Sequence, residues 1–256
     1  MKKSIKILAI GNSFSVDGME YLWQVLRAGG LEEVTLGNLY IPGCPVSLHA
    51  DNIASVAHTY VYYKNTDGTW RAAPEASLTD GLLDEEWDII TLQQASHDSG
   101  LPETYARQNE VIDYVNAHKR NPNAALYWHM TWAYQGDSNH WAFPRYGCDQ
   151  MTMYNAILNA VQTQILPNSA YAGVIPTGIA IQNLRATPVG DTVTRDGFHM
   201  SESHGRYAAA LTWAQTLCGV DPDTVDWVPE AFADAIRPDL GYIREAVKKA
   251  GTTPFV

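Results

Sequence analysis

Short apolar runs recur along the chain, and between them apolar positions return every third or fourth residue. Lys6 to Ile10, Val34 to Ile41, Asp88 to Leu92, Ala124 to Trp132 and Ala172 to Pro176 read as strands. Met19 to Ala28 reads as a helix, with Leu22, Val25 and Leu26 at helical spacing and Gly29-Gly30 as the stop. Glu103 to His118, Met151 to Leu166 and Gly205 to Cys218 read the same way. A last helix, Ala231 to Ala250, is interrupted or started at Pro238. Continuous apolar strands alternating with helices predict an α/β fold, a parallel sheet covered on both faces. One segment breaks this rhythm. Thr59 to Tyr63 alternates aromatic and β-branched residues, Asn65-Thr66-Asp67-Gly68 makes a turn, and Thr69 to Ala72 returns, which predicts an inserted β-hairpin.

No repeat, low-complexity tract or linker interrupts the chain, and 256 residues suit one domain with a sizeable core. A formal charge of −11 argues against nucleic acid, because phosphate binding relies on excess Lys and Arg. No run is long and apolar enough to span a bilayer, so no membrane partner is expected. Behind Met1-Lys2-Lys3 the apolar run is short and merges into Gly11. It reads as the first strand rather than a signal peptide, which favours a cytoplasmic setting. Cys44, Cys148 and Cys218 are odd in number and widely spaced, so they form no disulfide framework. His49, His58, His118, His140 and His204 show no tight ligand spacing, and His199 and His204 do not share a helical face. No metal or other cofactor is expected.

Two short motifs carry chemistry. Gly11-Asn12-Ser13-Phe14-Ser15 follows the first strand, where a strand-to-helix turn exposes a serine and offers it a helix N-terminus. The plainer alternative is that Ser13 or Ser15 caps the helix. Asp196-Gly197-Phe198-His199 stands near the far end. Three residues of turn bring a carboxylate back to one imidazole nitrogen and leave the other to face a serine. Here the alternative is a turn aspartate beside a loop histidine. Both motifs fall where parallel sheets bind ligands, at the carboxyl ends of the strands near a reversal of strand order.

With these motifs in this order, the chain resembles the SGNH (GDSL-type) hydrolase superfamily, in a branch whose first block reads Gly-Asn-Ser-Phe-Ser instead of Gly-Asp-Ser-Leu. The resemblance implies a flavodoxin-like three-layer α/β/α sandwich with a five-stranded parallel sheet. It implies Ser13 as nucleophile, His199 as general base and Asp196 as the residue orienting it. Gly43, in Ile41-Pro42-Gly43-Cys44-Pro45, takes the place of the second-block glycine, whose N–H joins that of Ser13 in an oxyanion hole. The third-block Gly-x-Asn-Asp is absent. Leu92-Gln93-Gln94-Ala95-Ser96-His97 stands there instead, and the amide of Gln93 or Gln94 is the substitute donor, with Gln93 closer to the strand end.

Aromatic residues cluster after the fourth strand: Trp128, Trp132, Tyr134, Trp141, Phe143 and Tyr146. Flat rings interleaved with polar groups suit a sugar ring, or an aryl or acyl group; the alternative is ordinary anchoring of the loop by buried aromatics. Asn12, Trp132, His97 and Trp141 are the substrate-facing candidates, while His129 reads as a core histidine. The expected function is ester hydrolysis through an acyl-enzyme on a small-molecule or oligosaccharide ester, a short acyl or carbohydrate O-acetyl group first. The alternatives are a non-catalytic carbohydrate-binding protein on the same fold, or a lipase- or thioesterase-type acyl hydrolase.

Overall fold

A computed structural model describes residues 4–252, so the Met1-Lys2-Lys3 start lies outside the described residues. Strand β1 (Ser4–Gly11) runs into helices α1 (Ser13–Met19) and α2 (Leu22–Ala28), then β2 (Glu33–Tyr40) and α3 (Val46–Ser55). A hairpin follows, β3 (Tyr60–Asn65) and β4 (Arg71–Ala76), then α4 (Leu78–Asp84), β5 (Ile89–Leu92), α5 (Gln108–His118) and β6 (Ala125–His129). The chain continues through α6 (Gln150–Ala160), β7 (Gly173–Ile175), α7 (Thr177–Arg185) and α8 (His204–Cys218). It ends in the short α9 (Ala233–Ile236) and α10 (Leu240–Thr252).

The sheet has seven strands, not five, in the order β4-β3-β2-β1-β5-β6-β7. The five expected strands are all present and parallel, and each lies within a few residues of its predicted span. The correction concerns the hairpin. It does not stand apart as an insertion but extends the sheet, β3 pairing antiparallel with β2 from Leu36↔Asn65 to Tyr40↔Val61. The central stretch of β2, from Leu36 to Leu39, is buried on both faces, and an uncovered edge there would leave its backbone groups unpaired. The new edge, β4, is mostly exposed and carries Arg71, Pro74 and Glu75, residues that discourage further pairing.

Ile7, Leu8, Ala9 and Ile10 are fully buried because helices cover both faces of β1. Helices α1, α2, α7, α8 and α10 pack with one another, and α3, α4 and α5 form a separate packed set. The predicted helix Met19 to Ala28 is in fact two. It begins earlier, where the Asn12 side chain accepts from Phe14 N, and breaks at Glu20-Tyr21. The break is tertiary in origin. Gly18 lies against Trp213, where a Cβ would come 2.9 Å from the indole nitrogen, and the Tyr21 hydroxyl donates to Glu202 O. Helices α3, α4 and α7 escaped the periodicity reading because each spans ten residues or fewer. For α4 the Ser77/Asp80 capping box was the legible start signal. Met151 to Leu166 starts at Gln150 and widens into a π turn over Val161–Ile165. Glu103 to His118 opens as a 3₁₀ turn, and the last helix starts only at Leu240, after Pro238.

Strand order reverses at β1, which lies between β2 and β5. Chain segments leaving β1 and β5 therefore diverge and open a crevice at their carboxyl ends. Gly11 closes β1 at this point, and a Cβ there would lie 2.8 Å from Ser15 Oγ and 2.9 Å from Gln93 Cδ. Gly11→Ala should lower unfolding free energy by about 1–3 kcal/mol through overpacking. Urea denaturation checks this, and a wild-type midpoint and slope would contradict the close fit.

Candidate active site

Asn12 is the N-cap of α1, and each of its polar atoms meets the protein. Its Oδ1 accepts from Phe14 N (3.0 Å) and Gln93 Nε2 (2.8 Å), and its Nδ2 donates to Cys44 O (3.1 Å). At 1% exposure Asn12 braces the turn and offers substrate no face, which corrects its assignment as a substrate contact. The two serines of the motif separate cleanly. Ser15 is buried, its hydroxyl between Asn12 O (2.7 Å) and Asn38 Oδ1 (2.9 Å). Ser13 is partly exposed at the first position of α1, with its Oγ 2.8 Å from His199 Nε2.

His199 reaches Ser13 from a tight loop. Its Nδ1 lies 2.6 Å from Asp196 Oδ2, while Asp196 Oδ1 accepts from the backbone N–H of His199 (2.7 Å) and Phe198 (3.2 Å). Desolvation pushes the Asp196 carboxyl upward, but the hydrogen bonds from the His199 side chain and the two backbone N–H groups outweigh it. The pKa falls below the usual carboxylate range. Ionised Asp196 thus fixes the tautomer in which Nδ1–H donates to it and Nε2 accepts the Ser13 proton. Gly197 has φ +89°, and a Cβ there would lie 2.9 Å from Ser138 Oγ, so this turn needs glycine twice over. Trp132 braces the loop from beneath. Its ring stacks on Phe14 (centroids 4.1 Å apart, planes at 5°) and its Nε1 donates to Phe198 O at 2.7 Å. With no exposed area, Trp132 packs under the site and does not line it, a second correction.

The sequence reading missed Asp17. This carboxylate is fully buried on α1, one turn beyond Ser13. Its Oδ2 accepts from Met200 N (2.8 Å), and its Oδ1 accepts from Arg206 Nε (2.8 Å) and Arg195 Nη1 (3.0 Å). Arg195 also donates to Met200 O. Arg195 and Met200 flank Asp196–His199 directly, so Asp17 ties both ends of the histidine loop to the helix that carries Ser13. Its one sequence signal is a lone acid within Phe14–Met19, and nothing in the spacing links it to residues 195–206.

A buried network fixes Gln93. Because Asn12 Oδ1 must accept from Phe14 N–H, the Gln93 end facing it is the donor Nε2, and Oε1 faces His129 Nδ1 (2.9 Å). His129 Nδ1–H therefore donates to Gln93, and Nε2 accepts from the Thr177 hydroxyl (3.1 Å). Burial pushes the His129 imidazole down to about 3, so it stays neutral. Gln93 keeps one amide N–H beyond the one given to Asn12. Gln94 keeps none for the crevice. Its Oε1 accepts from Val46 N and Ala95 N (2.9 Å each), and its Nε2 donates to Thr104 O (3.2 Å) and Oγ1 (3.1 Å). That removes Gln94 as an oxyanion donor.

Gly43 stands exposed with φ +58° and open space where a Cβ would point. Glycine is suited to this position by backbone conformation. Its N–H meets no acceptor among the described residues. Asn12 Nδ2, through Cys44 O, holds this loop beside Ser13. Farther out, Trp141 is 65% exposed, with His97 (5.3 Å) and His140 (5.6 Å) at its edges and the Arg145 guanidinium 4.9 Å above its ring. His140 in turn packs on Phe198 (4.6 Å), which packs on His199 (4.2 Å). Desolvation lowers the His97 pKa against the pull of Asp98, which itself accepts from Arg145 at 2.9 Å.

The model of the family described as "Domain of unknown function (DUF4886)" matches residues 6–237, and the chain belongs to that family. A DUF4886 family protein from Bacteroides uniformis is 36% identical and superposes with a TM-score of 0.93, over 99% of this chain and 96% of that one. More distant likenesses share the fold. A candidate SGNH hydrolase from Slackia heliotrinireducens gives TM-score 0.52 at 18% identity, over 84% of this chain and 99% of its own. A catalytic mutant of an acetylxylan esterase from Geobacillus stearothermophilus gives 0.50 at 11% identity, over 85% and 96%. No curated protein is similar enough to this chain to count as a match.

Removing the Asp17 charge leaves two arginines facing a buried site. Asp17→Asn should therefore cost about 3–5 kcal/mol of stability, read by chemical denaturation, and a wild-type value would contradict the clamp. Acid stability follows from the histidines. Burial pushes His129 to about 3 and His49 to about 4, below the ordinary 6.5, so unfolding takes up protons as the pH falls through that window. Their contribution is complete above pH 6.5 and is lost on acidification, at about 1.4 kcal/mol per pH unit for each residue. Urea denaturation from pH 7 to 5 should show the decline, with no titration of the His129 ring signals by NMR over that range. A His129 midpoint near 6.5 would contradict it.

Proposed function

We propose that this member of the DUF4886 family is a serine hydrolase that cleaves an ester through an acyl-enzyme, with a short acyl group on a carbohydrate as the preferred substrate. The observation that carries this reading is the continuous hydrogen-bonded chain from Ser13 Oγ through His199 to Asp196. Structural caps of helices do not require an imidazole at 2.8 Å with a carboxylate behind it.

In the forward step Ser13 Oγ attacks the acyl carbon as its proton passes to His199 Nε2. Asp196 stabilises the imidazolium without taking its proton. The C–O bond to the alcohol then breaks, and the alcohol leaves with the proton that His199 held. Water enters, gives its proton to His199 and attacks the acyl carbon. The Ser13–acyl bond breaks, Ser13 recovers its proton, and the carboxylic acid departs. Negative charge on the carbonyl oxygen is met by the N–H groups of Ser13 and Gly43 and by the remaining amide N–H of Gln93. Gln93 in this role is a longer arm than asparagine, and its fixed bonds to Asn12 and His129 hold that arm still.

The preference for sugar rests on Trp141. An exposed indole with Arg145 stacked over one face and His97 and His140 beside it leaves its other face for an apolar sugar surface, and it is joined to His199 through His140 and Phe198.

Hydrolysis of p-nitrophenyl acetate and of acetylated xylo-oligosaccharides tests the reading. Ser13→Ala and His199→Ala should each lower turnover roughly 10³- to 10⁶-fold, with the double variant little worse, because triad members act as a unit. Multiplying losses, or Ser13→Ala activity equal to wild type, would refute it. Trp141→Ala should raise KM for the oligosaccharide ester more than for the aryl ester, and equal changes would remove the sugar platform.

A further inference from the structure

The hairpin has a use that its pairing with β2 does not explain. Between its strands and α1 lies a cavity of about 160 Å³, lined by Val16, Glu20, Asn38, Tyr63 and Trp70. The hairpin tip is pinned over it. Gly68 N donates to Asn65 Oδ1 (2.8 Å), Gln24 Nε2 donates to Gly68 O (3.1 Å), and Trp70 Nε1 donates to Glu20 O (3.4 Å). The walls are thus held before any ligand arrives. Val16 follows Ser13 by three residues on α1, which places the two on one side of the helix with Cβ atoms about 5–6 Å apart.

The lining has unspent hydrogen-bonding capacity. The half-buried Glu20 carboxylate has no hydrogen bond or ion pair among the described residues. Asn38 meets the Ser15 hydroxyl with one end of its amide, which leaves the other end for a ligand hydroxyl group. Tyr63 adds a phenol and Trp70 an indole. Desolvation raises the Glu20 pKa, with Arg206 the largest opposing influence and Arg195 a weaker one. Asp17 and Glu202 add to the upward push, so the carboxylate stands in an acidic surrounding with no donor of its own.

We propose that this cavity is a saccharide subsite that takes a pyranose ring, with the ring's apolar face on Trp70 and its hydroxyl groups shared between Glu20 and Asn38. Its place along the substrate rests on the reading of Ser13 as the nucleophile of a carbohydrate ester hydrolase. The ring bound here belongs to the same saccharide as the ester, on the hairpin side of Ser13. Trp141 would then hold sugar on the other side, beyond His199. The hairpin thereby extends the sheet and walls the second subsite.

The test uses the intact Ser13→Ala protein and probes that carry no ester. Indole N–H signals are followed by NMR, with that of Trp70 identified by its loss in Trp70→Phe. Xylotriose and methyl β-D-glucopyranoside are titrated, with tetramethylammonium chloride as the cationic probe. At least one saccharide should shift the Trp70 signal saturably, and Glu20→Gln should weaken that binding about tenfold, as expected for loss of a hydrogen bond to a charged acceptor. The proposal is overturned by a Trp70 signal that ignores both saccharides, by unchanged affinity in Glu20→Gln, or by a response to tetramethylammonium alone. Serine-dependent ester turnover without a Trp70 response would remove the subsite and leave the hydrolase. A Trp70 response without turnover would do the reverse.

Discussion

One buried carboxylate holds the candidate site together. Ser13 and His199 come from opposite ends of the chain, and a 2.8 Å contact between them survives only if their supports move as one body. Asp17 supplies that coupling from the helix that bears Ser13, by accepting from Met200 N and from Arg195 on the two sides of the histidine loop. Arg206, from α8, donates to the same carboxylate and brings a third element into the same joint. Desolvating one carboxylate and two guanidinium groups is costly, and it is offset only because each Asp17 oxygen is met by a donor. The stack of Trp132 on Phe14, with the indole bond to Phe198 O, repeats the coupling in apolar form.

A second chain of constraint runs through the sheet. Phe14 N–H sets the Asn12 amide, Asn12 sets Gln93, Gln93 sets the His129 tautomer, and Thr177 closes the sequence. These residues come from the carboxyl ends of β1, β5 and β6 and from the start of α7. The crevice at the strand-order reversal is therefore wired at its floor before any substrate enters. Such fixed dipoles need no reorganisation when charge develops above them, which is the property an oxyanion site requires.

Much of this was legible in the sequence where the cause is local. The five parallel strands announced themselves as apolar runs between helical patterns. Asp196 and His199 stood three apart in one turn, which suggests their contact, whereas the pairing of His199 with Ser13 came from the family resemblance and from neither motif alone. Gly43 sat beside two prolines in a turn where the backbone must pass through positive φ. What escaped has non-local causes. Asp17 looks like any polar helix residue until the fold brings 195–206 over it. Trp132, read as a substrate platform, turned inward because Phe14 and Phe198 O wait for it there. Gln94 was spent on Val46 and Thr104, two contacts that no spacing encodes. The helix Met19 to Ala28 split because Trp213 and Glu202 engage Gly18 and Tyr21, while the apolar period on either side of the break stayed in phase.

The central claim is that the fold turns Ser13 into a nucleophile by way of His199. Treatment of the intact protein with an alkyl fluorophosphonate, followed by peptide mass spectrometry, reads that property without any assumption about the natural ester. The account predicts one phosphonylated residue, Ser13, with the adduct lost in His199→Ala and Ser15 unlabelled. Absence of an adduct, labelling elsewhere, or Ser13 labelling that persists without His199 would contradict it.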